Sequence, residues 1–226
     1  AGERLSSLFA WVEGRELRGA LTPADLHKIG RSVAELHNIA RELAFPDATS
    51  DFRSDYRYDQ ALMQSHRDWI DKRRTVIGPD NMALLDRAID YVVAAMDRIG
   101  TTPATYGMIH ADLSFGNLLE QDGEIYFIDF EQLGRGHFLY DLAVLKAELL
   151  EGAPELALHW QSFIAGYGEV AALPFYQEEA LQPFIVATQL NFLDWFYNSM
   201  RPEVQAEKSA LMPTVYAALR QQVSLG

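Results

Sequence analysis

Two short segments of this chain contain the side chains whose types and spacing could carry out chemistry. Residues 110–117 read His-Ala-Asp-Leu-Ser-Phe-Gly-Asn, and Asp129 follows after an apolar run. The carboxylate and amide oxygens of Asp112, Asn117 and Asp129 are hard ligands that suit magnesium, which usually binds one or two carboxylates together with phosphate oxygens and water. The types of these residues therefore indicate phosphate chemistry, provided that the fold brings the three side chains together.

A predicted β-hairpin joins the two segments. Asp122-Gly123 is a strong two-residue turn signal, because a type I′ turn needs positive φ at both central positions. If these residues form the turn, Asn117 faces Ile128 across the hairpin, and Asp129 lies one residue further along. The turn alone therefore predicts that an amide oxygen and a carboxylate meet at one edge of the ribbon, with Asp112 just upstream.

The pattern His110-x-Asp112-x-x-x-x-Asn117 has the spacing of a kinase catalytic loop. In that scheme Asp112 accepts the proton of an attacking hydroxyl, and Asn117 and Asp129 hold the metal ions that bridge the phosphates of ATP. Asp and Asn are also common turn residues, so any one of them alone indicates little. The agreement of loop, turn, strand and terminal Asp in order and distance favours the functional interpretation.

Residues 109–143 resemble the aminoglycoside phosphotransferase and choline kinase-like family. The resemblance implies transfer of the γ-phosphate of ATP to hydroxyls of small molecules, on a protein-kinase-like fold. The flanking helices resemble the family only in pattern and length. The segments that match are Ile109 to Leu118, Ile128-Asp129-Phe130-Glu131, Gly134-Arg135-Gly136 and Tyr140-Asp141-Leu142-Ala143.

The resemblance also implies a role for each site residue. His110 is structural, Asp112 is the base, and Asn117 and Asp129 bind the cofactors, ATP and Mg²⁺. Asp141 hydrogen-bonds backbone amides of the catalytic loop from the start of the next helix.

The chain departs from the family pattern at two places. Gly136-His137-Phe138 stands where members often have Gly-Asp-Pro, and Ala111 stands where protein kinases keep Arg. The second departure removes a partner for an activation-loop phosphate, so we expect no regulation of that kind.

The parts of a kinase that cradle the phosphates of ATP do not occur before residue 110. There is no G-x-G-x-x-G and no Val-Ala-Ile-Lys-like strand, both of which belong to the N-terminal lobe. Residues 8–15 are similar to the family's inter-lobe segment, so Phe9 and Trp11 are expected to contact the nucleotide. We expect residues 1–18 to be an inter-lobe hinge and residues 19–226 a helical C-terminal kinase-like lobe, without its N-terminal ATP-binding lobe and inactive by itself.

The predicted fold class is mainly α with a small β-hairpin region (α+β), the C-terminal lobe of the protein-kinase-like fold. Thr22 and Pro23 are typical of a helix start, and Gly100 of a helix end. His37 lies beside the apolar stripe of its helix and is expected to be a packed core residue. Apolar periodicity predicts helices at about 22–40, 56–74, 82–100, 141–151, 155–167, 184–200 and 203–223.

The acceptor site is indicated only weakly. Asp194 is either a surface acid on an amphipathic helix or, with Trp195 and Tyr197, part of an acceptor pocket, because cations bind well between a carboxylate and aromatic faces. The net charge of −13 argues against nucleic acid as a partner. The same charge reflects either solubility or an acceptor cleft for a cationic small molecule such as an amino sugar.

Three classes of function are compatible with these patterns. The chain is the catalytic lobe of an active small-molecule kinase, a non-catalytic pseudokinase-like binding module, or a metal-dependent phosphoesterase. The retained Asp112, Asn117 and Asp129 favour the first, and the scattered histidines disfavour a two-metal hydrolase site. The 226 residues include no cysteine, no bilayer-length apolar run and no leader, which permits a cytoplasmic location without a membrane.

Overall fold

Helices dominate the computed structural model, which describes residues 11–17, 21–42, 56–173, 176, 178–199 and 201–223. The helices are α1 Pro23–Glu42, α2 Gln60–Lys72, α3 Arg74–Ile77, α4 Pro79–Ile99, α5 Phe138–Gly152, α6 Pro154–Ala157, α7 Trp160–Val170, α8 Glu178–Asn198 and α9 Pro202–Val223. The strands are β1 Arg15–Glu16, β2 Arg57–Tyr58, β3 Tyr106–Ile109, β4 Leu118–Gln121, β5 Glu124–Phe127 and β6 Gly134–His137. Two 3₁₀ turns, Phe115–Asn117 and Phe130–Gln132, flank the hairpin of β4 and β5.

The predicted hairpin is confirmed. Asp122 and Gly123 have φ values of 55° and 89°, as a type I′ turn requires. The amide of Ile128 donates to the carbonyl of Asn117 at 3.0 Å, which is the predicted register. The short strand β1 adds to the other edge of β4, so the hairpin belongs to a three-stranded sheet of order β1-β4-β5.

A second three-stranded sheet, of order β2-β6-β3, was not predicted. The expected helix at 56–74 is wrong at its start, because Arg57–Tyr58 pair with β6. Asp59 then begins α2 by accepting a hydrogen bond from the amide of Ala61 at 2.9 Å. Gly136 permits the close packing of this sheet, since a Cβ there would lie 2.5 Å from the Ile109 side chain.

The other helix predictions are largely confirmed. Thr22 and Asp25 cap α1 reciprocally, with the Thr22 amide 2.9 Å from the Asp25 carboxylate. The predicted helix at 155–167 is interrupted between Ala157 and Trp160, and the carbonyl of Ala157 accepts a hydrogen bond from Lys146 Nζ at 3.1 Å. Within the described ranges, none of the helices has both the length and the apolar character needed to cross a bilayer.

Helices α1 and α7 approach each other backbone to backbone. A Cβ at Gly30 would lie 2.0 Å from the carbonyl oxygen of Phe163, and one at Gly166 would lie 2.0 Å from that of His27. Only glycine fits at such distances. The contact buries Tyr167 completely and brings it beside His37, which is also fully buried.

Two other buried histidines, His66 and His137, lie where burial disfavours their charged form. Burial lowers the pKa of His66 to about 4, with Asp194 Oδ2 3.7 Å from its Nδ1. Burial likewise lowers the pKa of His137 to about 4, although the nearby Asp59 carboxylate opposes the shift. Neither His66 Nε2 nor His137 Nδ1 has a hydrogen-bond partner among the described residues.

These histidines predict acid sensitivity. Both stay neutral in the folded state while the unfolded state takes up protons below about pH 6.5. Stability is therefore complete above pH 6.5 and is lost as the pH falls towards 4, by up to about 1.4 kcal/mol per pH unit for each histidine. Urea denaturation at several pH values between 7 and 4.5 gives the free energy of unfolding as a function of pH. This free energy should fall less steeply with decreasing pH in His66→Gln and in His137→Phe than in the wild type. Slopes equal to the wild-type slope would contradict the buried neutral state, and replacement of the exposed His159 serves as control.

Candidate active site

The catalytic loop begins with a residue in an unfavourable backbone conformation. Ala111 has a φ of 64°, in the left-handed region that non-glycine residues rarely adopt. Its amide donates to Asp141 Oδ1 at 2.7 Å, and the amide of His110 donates to Asp141 Oδ2 at 3.0 Å. The fully buried Asp141 carboxylate therefore holds the turn that presents Asp112.

A second pair of buried side chains orients Asp141. His37 Nε2 lies 3.1 Å from Asp141 Oδ2, and His37 Nδ1 lies 2.8 Å from the hydroxyl of Tyr167. Because the Asp141 oxygens accept, we assign the proton to Nε2, so that the Tyr167 hydroxyl donates to Nδ1. The prediction that His37 is a packed core residue is confirmed, but its bond to Asp141 was not foreseen.

His110 connects the loop to the end of the hairpin. Its Nε2 lies 2.9 Å from the carbonyl oxygen of Ile128, and its ring lies against Phe130 with centroids 4.7 Å apart. Asp129 follows directly, exposed and in the left-handed region with a φ of 63°. A strained non-glycine residue that persists beside a polar loop favours a functional interpretation.

The Asn117 side chain is hydrogen-bonded to Asp112. Its Nδ2 donates to the Asp112 carbonyl at 2.8 Å and to Asp112 Oδ2 at 3.1 Å. These bonds occupy the amide nitrogen, so Oδ1 of Asn117 is the atom that could bind a cation. The predicted hairpin register brings Asp129 to the same end of the ribbon, through the bond between Asn117 and Ile128.

Negative charge accumulates around Asp112. Burial raises the pKa of this carboxyl, and the hydrogen bond from Asn117 and the His110 ring oppose the shift. The carboxylates of Asp129 and Asp141 raise it further. Hard oxygen donors beside this charge fit a magnesium ion that also binds phosphate oxygens. Among the described residues, no group of three or more His, Asp and Glu side chains is arranged to hold a metal by itself.

The structure joins two of the three expected acceptor residues. Asp194, whose side chain is 24% exposed, lies near His66, and Tyr197 lies 5.4 Å from the ring of Trp69, a neighbour of His66. Trp195 is separate, since it is 47% exposed and contacts Phe192 and Phe196 instead. Asp194 and Tyr197 of α8 thus lie together with His66 and Trp69 of α2.

The expected nucleotide contacts stay predictions. Phe9 lies outside the described residues. Trp11 is described, lies outside any strand and is 87% exposed.

One residue beside the catalytic loop was missed at the level of sequence. Glu148 Oε2 accepts from the amide of Phe115 at 2.7 Å. A signal was present, because Glu148 lies seven residues after Asp141 in a mostly apolar helix, which puts both acids on one face.

The Asp141 network predicts a large and specific loss of stability. In Asp141→Asn, one acceptor oxygen becomes an NH₂ donor that faces another donor, so a buried group loses its partner. We expect the free energy of unfolding to fall by roughly 3 kcal/mol. Urea denaturation of the chain measures it.

The control is Asp86→Asn, which removes an exposed carboxylate 3.7 Å from Arg67. This change should stay within about 0.5 kcal/mol. Equal effects of the two substitutions would show that Asp141 does not organise the loop.

Comparison with known proteins finds relatives in sequence and in fold. Homoserine kinase from Neisseria meningitidis serogroup B is 38% identical over 102 residues, which are 43% of this chain and 32% of that protein. The structure of the microcompartment-associated aminopropanol kinase superposes with a TM-score of 0.68 and 27% identity, and covers 90% of this chain and 63% of that one. Amicoumacin kinase hAmiN, solved with AMP-PNP, Ca²⁺ and Ami, shares the fold with a TM-score of 0.61 at 18% identity, and covers 92% and 63%.

The chain spans between 32% and 54% of the length of the curated relatives that it matches. The family model that matches is that of the phosphotransferase enzyme family, over residues 2–173. The resemblance seen in the sequence is thereby confirmed, and the chain belongs to the phosphotransferase enzyme family.

Proposed function

We propose that this chain is the catalytic and acceptor-binding lobe of an ATP-dependent kinase that phosphorylates a hydroxyl of a small molecule. The observation that carries the proposal is the side-chain hydrogen bond from Asn117 to Asp112, in a loop whose backbone is held by Asp141. A pseudokinase-like module would have no need for this arrangement together with Asp129 at the hairpin end. That module is the second candidate, and absence of turnover would favour it.

Asp112 is the proposed base. Asn117 holds one of its oxygens, and the other is available to accept a hydrogen bond from the acceptor hydroxyl, which orients that hydroxyl and receives its proton. Asn117 Oδ1 and Asp129 would hold magnesium, which neutralises charge on the transferring phosphate when bound.

The nucleotide site is proposed to lie between this lobe and an upstream N-terminal lobe, with residues 1–18 as the hinge. The fraction of each relative that the chain spans supports a longer parent. The solved amicoumacin kinase, with AMP-PNP and Ca²⁺ bound, supports the use of ATP with a divalent cation.

The proposed acceptor carries an amine as well as a hydroxyl. Asp194 supplies a carboxylate and Tyr197 a partly buried aromatic face that attracts a cation, whereas the neighbouring Trp69 ring is buried and already has the Arg73 guanidinium 5.6 Å from its centroid. The names homoserine kinase and aminopropanol kinase both denote acceptors with an amino group, which supports this class. Trp195 is proposed to contribute only if the acceptor extends towards Phe192.

The Asp112→Asn substitution tests the base. Asn cannot take a proton, so turnover in a chain that includes the upstream lobe should fall by about 10²–10⁴-fold. Nucleotide affinity should stay unchanged, because Asp112 is not proposed to contact ATP. Steady-state kinetics and calorimetry with an ATP analogue measure the two quantities. Full turnover by the variant would end the assignment.

A comparison of two chain lengths tests the division into lobes. The 226-residue chain should show no acceptor-dependent ATP turnover, because phosphoryl transfer depends on positioning and on charge that the upstream lobe supplies. The longer chain should be active with one of a panel containing homoserine, aminopropanol, choline and aminoglycosides. Robust turnover by the short chain would show that residues 1–226 suffice.

A further inference from the structure

Helix α5 presents two carboxylates to the catalytic loop. Asp141 accepts the amides of His110 and Ala111 at the start of the loop, and Glu148 accepts the amide of Phe115 near its end. Seven residues are almost two helical turns, so the two acids lie on one face, about 10 Å apart along the axis. The loop therefore runs beside the helix and is bonded at both ends.

Glu148 accepts a hydrogen bond from the Phe115 amide, a donor that has no partner within its own turn. Phe115 is the first residue of the 3₁₀ turn Phe115–Asn117, and the first amides of a helical turn lack internal acceptors. Ser114 occupies the capping position, but its side chain makes no cap bond. The 2.7 Å distance to Glu148 is that of a charge-assisted hydrogen bond, which is stronger than a neutral one.

Asn117 is the last residue of the same turn. Its amide donates to the carbonyl of Ser114 at 3.0 Å, so its position follows the orientation of the turn. The fold around the turn does not need Glu148, because the Phe115 side chain is buried and its carbonyl still accepts from Leu118. Loss of Glu148 should therefore disturb the site more than the fold.

We propose that Glu148 is a positioning residue, which holds Asn117 in place to bind the divalent cation. This inference rests on the proposed function, in which Asn117 is a metal ligand. Glu148 itself contacts neither the metal nor a substrate, and acts through the amide of Phe115.

Three variants separate the hydrogen bond from the charge. Glu148→Gln keeps an acceptor oxygen of the same reach, and Glu148→Met keeps the length without an acceptor. Glu155→Met is the control, since Glu155 is an exposed acid on α6 and makes no hydrogen bond to the loop within the described part of the chain.

The first measurement is amide hydrogen exchange of the 226-residue chain, followed by NMR. Exchange at Phe115 should become roughly tenfold faster or more in Glu148→Met, because a hydrogen bond to a charged group is lost. It should be intermediate in Glu148→Gln, which keeps a weaker, neutral hydrogen bond, and near the wild-type rate in the control. An unchanged Phe115 amide in Glu148→Met would overturn the proposal.

The second measurement is magnesium affinity, by calorimetry of the longer chain saturated with a nonhydrolysable ATP analogue. Supporting residues typically change metal affinity about 10–100-fold, so we expect a loss of roughly tenfold in Glu148→Met, recovery in Glu148→Gln, and an unchanged acceptor KM. Faster exchange at Phe115 with unchanged magnesium affinity would show a merely structural bond and would overturn the inference. Failure of the proposed function is a separate result, since it appears as absent turnover in the wild-type longer chain.

Discussion

The Asp141 carboxylate is the group on which the geometry of the site depends. It accepts hydrogen bonds from the amides of His110 and Ala111 and from the ring of His37, while fully buried. A buried carboxylate is costly unless its oxygens are well satisfied, and here the donors come from the loop and from α1. The two bonds from the loop amides fix the left-handed turn before Asp112, and the bond from His37 orients the carboxylate. The hydrogen bonds that make burial of the charge possible therefore also determine the geometry of the site.

His37, the donor from α1, is in place because α1 and α7 touch along their backbones. Gly30 and Gly166 allow α1 and α7 to approach within a distance that no side chain permits. This approach positions Tyr167 to bond the His37 ring, which in turn bonds Asp141. The backbone contact between α1 and α7 therefore helps to set the orientation of Asp141, which holds the loop.

Local chemistry decided what could be predicted from the sequence. The Asp122-Gly123 turn fixes the hairpin register and thereby brings Asn117 and Asp129 to the same end of the hairpin. This could be predicted because the turn lies within a few residues of both. The sheet formed with Arg57–Tyr58 was missed, because a two-residue strand has no periodicity and its partner lies far along the chain. The hydrogen bond from Phe115 to Glu148 was also missed, because its partners lie far apart in the sequence. Helical spacing puts Glu148 on the same face as Asp141, but it does not say which part of the chain that face contacts.

The site keeps features that a fold selected for stability alone would avoid. Ala111 and Asp129 both adopt left-handed backbone, which costs non-glycine residues roughly 1–2 kcal/mol each. Between them Asp112 lies half-buried, with its charge opposed by Asp129 and Asp141. In the proposed function, a divalent cation with phosphate oxygens would relieve this repulsion. The hydrogen bonds that the backbone amides of the loop donate to Asp141 and Glu148 hold the loop in this strained conformation.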